Sequence, residues 1–158
     1  MTNGGNSPVE GAAIYGVVMS LVDEPTEGAV TGTVPFVTRF ISGNPDANFF
    51  DNVDFQPRTG RLVVCEDGEV EVVKDDGSTE LRGNDVRMYL PDGMDRDVQS
   101  DGGIRIMSLR DTSSEPTGFI FDASGEQAYV NIQHRDAGAG ALLKISGFKV
   151  NSGWVRRG

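Results

Sequence analysis

Cysteine and histidine each occur once in this 158-residue chain, at Cys65 and His134. One cysteine excludes an internal disulfide framework. One histidine, with the only thiol inside the apolar run Val63-Val64-Cys65, excludes a zinc centre of several imidazoles and thiolates. Lysine is limited to Lys74, Lys144 and Lys149, and the formal net charge is −10. Such a surface repels phosphate polyanions, so nucleic acid and anionic membranes are excluded as partners and cations are favoured. No apolar run approaches the ~20 residues that a membrane-spanning helix needs. The longest, residues 14–22 (IYGVVMSLV), follows acidic, Gly-rich sequence instead of a basic segment and reads as a strand, not a signal peptide. The phosphate loop Gly-x-x-x-x-Gly-Lys and the nucleophile elbow Gly-x-Ser-x-Gly are missing, and Gly138-Ala139-Gly140 lacks the third glycine of a dinucleotide site. No long segment carries a 3.6-residue apolar period, so helix is expected to be scarce.

What the chain does have is period-2 alternation punctuated by turns. Residues 13–22 and 34–41 read as a hairpin joined through Glu24-Pro25-Thr26-Glu27-Gly28. Residues 70–74, with Glu69 and Glu71 alternating with valines, read as a half-solvated strand ending at the Asp75-Asp76-Gly77 turn. A short strand is expected over residues 104–109 and a final strand or strand pair over 141–149. Residues 1–9 read as a flexible start, 91–103 as a mobile loop and 151–158 as a frayed end. In that loop Asp92, Asp95 and Asp97 do not follow the spacing of an EF-hand, and no glutamate closes it.

Within this single domain one unit occurs twice. Residues 51–68 (DNVDFQPRTGRLVVCEDG) and 115–134 (EPTGFIFDASGEQAYVNIQH) align with Phe55 on Phe121 and Gly60 on Gly125. Each then reads apolar strand, polar turn, apolar strand. One hairpin cannot bury both its faces alone, so repeated β units of this kind stack into propellers or solenoids. A propeller blade takes about 40–50 residues, and the expected fold is therefore all-β, a partial β-propeller of about three antiparallel blades. Its open sheet edges invite self-association or pairing with a partner chain that supplies missing blades.

A hairpin returns the chain to the end from which it started. Asp51 and Asn52 should therefore lie near Glu66 and Asp67, and Glu115 near Gln133 and His134, with carboxylates gathering on one rim. If the two units are neighbouring blades, oxygen ligands for a hard cation meet at the mouth of a central channel. The other reading is that Asp51 and Glu115 are strand-end residues making turns. His134 reads either as an exposed turn residue beside Arg135-Asp136 or as a rim residue next to a metal.

Glu115-Pro116-Thr117-Gly118, the Phe121-Asp122-Ala123-Ser124-Gly125 turn and Tyr129-Val130-Asn131-Ile132-Gln133-His134 resemble a late blade of the PhoX family of bacterial alkaline phosphatases. The pattern there is Glu-x-Thr-Gly, a Phe-x-Pro-x-Gly turn and a terminal Val-Asn-Ile-Gln-His. Phe50-Asp51-Asn52 and the closing Glu66-Asp67-Gly68 are similar to that family's Pro-Asp-Asn strand and Glu-Asp-Gly, with Phe50 in place of the proline. The resemblance implies a six-bladed propeller, of which this chain supplies the C-terminal blades, that hydrolyses phosphoric monoesters at a cluster of calcium and iron ions. It assigns Glu115 as a metal ligand and Asp51 and Asp67 as candidate ligands, and it implies a periplasmic or secreted location. The family's early cysteine-plus-glutamate segment has no counterpart before residue 50, and the arginine that some members carry two residues before the glutamate is Ser113 here. Two functions follow. One is part of a phosphatase acting on phosphate esters, inactive until the missing blades complete it. The alternative is a non-catalytic propeller fragment that binds calcium or a protein partner.

Overall fold

A computed structural model describes residues 2–3, 16–25, 33–44, 46–92, 99–134, 138 and 140–150. Every regular element among them is a strand: β1 (Thr2–Asn3), β2 (Val17–Pro25), β3 (Thr33–Ser42), β4 (Phe50–Phe55), β5 (Leu62–Glu66), β6 (Glu69–Val73), β7 (Thr79–Gly83), β8 (Asp85–Tyr89), β9 (Gly103–Ser108), β10 (Glu115–Phe121), β11 (Gln127–Gln133) and β12 (Ala141–Ser146). The sheets are antiparallel, in the orders β1-β2-β3, β4-β5-β8-β9, β6-β7 and β10-β11-β12. The chain is thus all-β, as the alternation implied. The β6-β7 hairpin buds from the connection between β5 and β8, leaving a four-stranded up-and-down sheet in the middle of the molecule.

That middle sheet is covered on both faces. Val63, Cys65, Val86 and Met88 pack against Phe119, Phe121, Ala128, Val130 and Ile132 of the β10-β11-β12 sheet. On the opposite face Phe50, Leu62, Val64 and Tyr89 pack with Val18 and Ile41 of β2 and β3 and with Ala47. Burial from two sides explains why β5 and β8 are buried at every position instead of alternating. Phe119, Phe121 and Phe148 meet edge to face with centroids 5.0–6.4 Å apart, closing one side of the first core. Cys65 is wholly buried and its thiol is pushed up to about 12 by desolvation, so it packs as an apolar residue.

Several details differ from the sequence reading. The glycines of the two turns are not equivalent. Gln56 N donates to Arg61 O and Asp122 N to Gln127 O, so the turns have equal length and Thr59 corresponds to Gly125. Strands β7 and β8 were not anticipated: Asn84, in a left-handed conformation (φ 54°), separates them, and β8 buries Asp85 and Arg87 between its apolar residues. The last strand stops at Ser146, before Gly147 at φ 100°. Of the segments expected to be irregular, Thr2 and Asn3 pair with Val18 and Val17, while the rest of 1–9, residues 93–98 and 151–158 lie outside the described residues. Among the described residues no helix is long and apolar enough to cross a membrane.

Candidate functional site

The two hairpins named by the sequence lie side by side. At their turn ends, Gln56 Nε2 donates to Gly125 O at 2.7 Å. Midway, Phe121 N donates to Asp54 Oδ2 at 2.8 Å, and towards the opposite rim Asn52 Nδ2 donates to Thr117 Oγ1 at 3.0 Å. With the hairpins in step, their strand starts come together. Phe50 is paired with Glu66, so Asp51 sits beside the end of β5, which Asp67 follows. Glu115 opens β10 opposite Gln133, and His134 comes next at φ 54°. Both strands carrying the acidic residues bulge near them, between Phe50 and Val53 in β4 and between Thr117 and Ile120 in β10. A bulge turns consecutive side chains out of strict alternation, which lets strand-end residues point into a shared space.

As the hairpin geometry implied, Asp51, Asp67 and Glu115 converge: one carboxylate oxygen from each lies within 4.8 Å of the others. Glu115 is buried, whereas Asp51 and Asp67 are exposed, so the cluster has a protein-lined floor and a solvent side. Burial holds the Glu115 carboxyl above its ordinary range. Gln133 Nε2, donating to Glu115 Oε1 at 2.7 Å, works against that shift, while the neighbouring Asp67 adds to it. His134 Nε2 lies 3.5 Å from Glu115 Oε2, with its side chain mostly in solvent. Asp51 is raised too, by burial and then by the charge of Asp67. Crowded negative charge with hard oxygen donors is what a divalent cation relieves, and the donor set fits calcium. Three carboxylates supply only part of the six to eight oxygens that calcium takes. No thiolate joins them, since Cys65 belongs to the apolar core.

A second acidic group lies close by and has a different character. Glu66 is wholly buried and accepts from Arg87 Nε at 2.7 Å and from the backbone N–H groups of Asn48 and Asp85 at 3.3 Å. Arg87 also contacts Asp85 and Asp46, each at 3.4 Å, and Arg105 reaches Asp85 at 2.9 Å. This network was not anticipated. Its one sequence signal is an arginine between Val86 and Met88, which in a buried strand requires an acidic partner. The hydrogen-bonding roles of Asn52 and Thr117 were also missed, and Ser113 donates to Asp111 Oδ1 at 2.6 Å within a turn.

An all-β scaffold with a carboxylate rim at the junction of two equivalent hairpins is therefore the class that fold and site define. The family model described as Alkaline phosphatase PhoX matches residues 24–136, well over half of the sequence, and the chain belongs to that family. No curated protein matches the chain, and no solved structure does.

Proposed function

We propose that this chain forms part of the metal-binding rim of a PhoX-type phosphatase that hydrolyses phosphoric monoesters, with its successive sheets acting as about three blades of a β-propeller. The observation that carries the reading is the convergence of Asp51, Asp67 and Glu115 within 4.8 Å, from matching ends of two adjacent hairpins, in a member of this family. The blade reading is supported by the up-and-down middle sheet, covered on both faces, and by the cross-links that set β4 beside β10. A cation held there, calcium or iron, supplies charge neutralisation and polarisation of the phosphoryl group. Glu115 and the two aspartates provide oxygen ligands, and Gln133 keeps one Glu115 oxygen engaged so that the carboxylate has a fixed orientation. Because three carboxylates leave a calcium ion under-coordinated, the remaining ligands come from further blades, in a longer chain or in a partner. The location that goes with this activity is the periplasm or outside the cell.

Metal activation provides most of the barrier reduction in such hydrolysis, so a partial ligand set should give negligible turnover. The test is hydrolysis of a chromogenic phosphate ester with calcium and iron present, by the chain alone and after completion with the remaining blades of a PhoX-type propeller. Activity is expected only in the completed protein and should be lost in Glu115→Ala. Robust turnover by the lone chain, unchanged in Glu115→Ala, sinks the reading. A completed propeller that binds calcium without turnover favours the non-catalytic alternative.

A further inference from the structure

The geometry points to Asn52 as a positioning residue that fixes the spacing between Asp51 and Glu115 by tying the bulge of β4 to the bulge of β10. This rests on the metal-binding reading above. Asn52 Nδ2 donates both to Asp51 Oδ2 and to Thr117 Oγ1, the latter at 3.0 Å. An amide nitrogen carries two hydrogens and can serve both acceptors at once. One acceptor belongs to a candidate ligand on the first hairpin, and the other lies two residues beyond Glu115 on the second.

The need for such a link follows from the bulges. Register is interrupted between Phe50 and Val53 and again between Thr117 and Ile120, so the ladders within each sheet are broken where the carboxylates project. Within β10 the bulge is itself confined. Gly118 adopts φ 59°, and a Cβ there would stand 3.1 Å from Asn131 Nδ2, so the bulge conformation of β10 depends on glycine at this position. Two other cross-links between the hairpins, Asp54 with Phe121 and Gln56 with Gly125, lie progressively farther towards the turns. The Asn52 bond is the one of the three closest to the carboxylates. A side chain that orients a ligand in this way typically changes metal affinity by about tenfold or more when removed.

The experiment is terbium luminescence on the full chain, with terbium as an oxygen-seeking stand-in for calcium, calcium as the displacing ion, and urea unfolding to report the fold. Thr117→Val keeps the shape of the side chain and removes the acceptor, Asn52→Leu removes the donor, and Thr117→Ser restores a hydroxyl. Expected is about tenfold weaker terbium binding in Thr117→Val and in Asn52→Leu, no further loss in the double variant, and near-normal binding in Thr117→Ser. Gln56→Leu, which cuts the far cross-link, should lower stability and leave affinity unchanged. Wild-type affinity in folded Thr117→Val and Asn52→Leu overturns the inference, as does equal weakening by Gln56→Leu, which would mean general loosening. Failure of the wild-type chain to bind terbium, or binding indifferent to Glu115→Gln, overturns the metal reading itself and the positioning role with it. That outcome is recognised in chains whose Asn52 and Thr117 are intact.

Discussion

Glu66 and Glu115 are two buried acids near one rim, one closing the second strand of the β4-β5 hairpin and the other opening the β10-β11 hairpin, and they are neutralised in different ways. Glu66 has a guanidinium 2.7 Å away and two backbone donors. Glu115 has an amide at 2.7 Å, an exposed imidazole at 3.5 Å, and two exposed aspartates within 4.8 Å. Among the described residues no lysine or arginine pairs with it. A buried acid with its own counter-charge belongs to the scaffold. A buried acid grouped with other acids at an open rim has no such counter-charge among the described residues, and under the proposed function a cation from solution would supply it.

The comparison breaks most readily at Arg87. Replacing it by leucine leaves Glu66 buried without its cation and strips Asp85 of one of its two arginines. Removing one partner of a buried pair costs about 3–5 kcal/mol when the other stays charged. Arg87→Leu is expected to approach that loss in urea unfolding at a pH well above the Glu66 value of about 7, and to lose less at neutral pH, where Glu66 takes up a proton. A loss below about 1 kcal/mol at the higher pH would show that the Glu66 group is no more structural than the rim.

A smaller effect separates the two acids by pH. Burial outweighs Arg87 and pushes the Glu66 carboxyl from an ordinary 4.5 up to about 7. The folded chain therefore holds this proton more tightly than the unfolded chain does. The stabilisation is complete below about pH 4.5 and is lost as pH rises through about 7. Glu115 and Asp51, also raised, act in the same direction. Unfolding free energy should decline over this range, less steeply in Glu66→Gln. In that variant, excess calcium should flatten most of what remains, because the remaining slope comes from the rim. A slope that calcium leaves untouched would contradict the assignment of the rim as the cation site.

Much of this site was legible because its determinants are local. Alternation around Phe55 and Phe121 marks two hairpins, and a hairpin returns its ends to one place, so the approach of Asp51 to Asp67 and of Glu115 to Gln133 needs no tertiary information. Their repetition offered the meeting of the two hairpins as one of two readings, and in the structure the hairpins lie side by side. What was hidden depends on contacts distant in sequence. Asn52 and Thr117 are 65 residues apart, and nothing in either segment names the other. Strand β8 breaks the apolar pattern with Asp85 and Arg87, which become intelligible only once Glu66 and Arg105 are seen beside them. The one-residue offset of the turn glycines was hidden for a related reason. Both turns close with the same hydrogen bond, but the first places Arg58 and Gly60 at positive φ and the second Gly125.

The smallest expected change sharpens the comparison most. Glutamine at position 115 has the shape of glutamate, and its carbonyl oxygen can keep the 2.7 Å hydrogen bond from Gln133 Nε2. Its amide nitrogen takes the place of the other carboxylate oxygen and presents donors towards Asp67, where two like charges now raise the Glu115 carboxyl. One repulsion is removed and no buried cation is orphaned, because none pairs with Glu115. Glu115→Gln should therefore stabilise the metal-free chain at pH 7, by less than about 1 kcal/mol, while abolishing its terbium binding. Removing one charge from each group thus moves stability in opposite directions: down at Arg87, slightly up at Glu115. Urea unfolding of both variants in chelator-treated buffer is the measurement. If Glu115→Gln loses more than about 1 kcal/mol there, Glu115 is a structural acid like Glu66, and its place beside Asp51 and Asp67 is packing, not a ligand set.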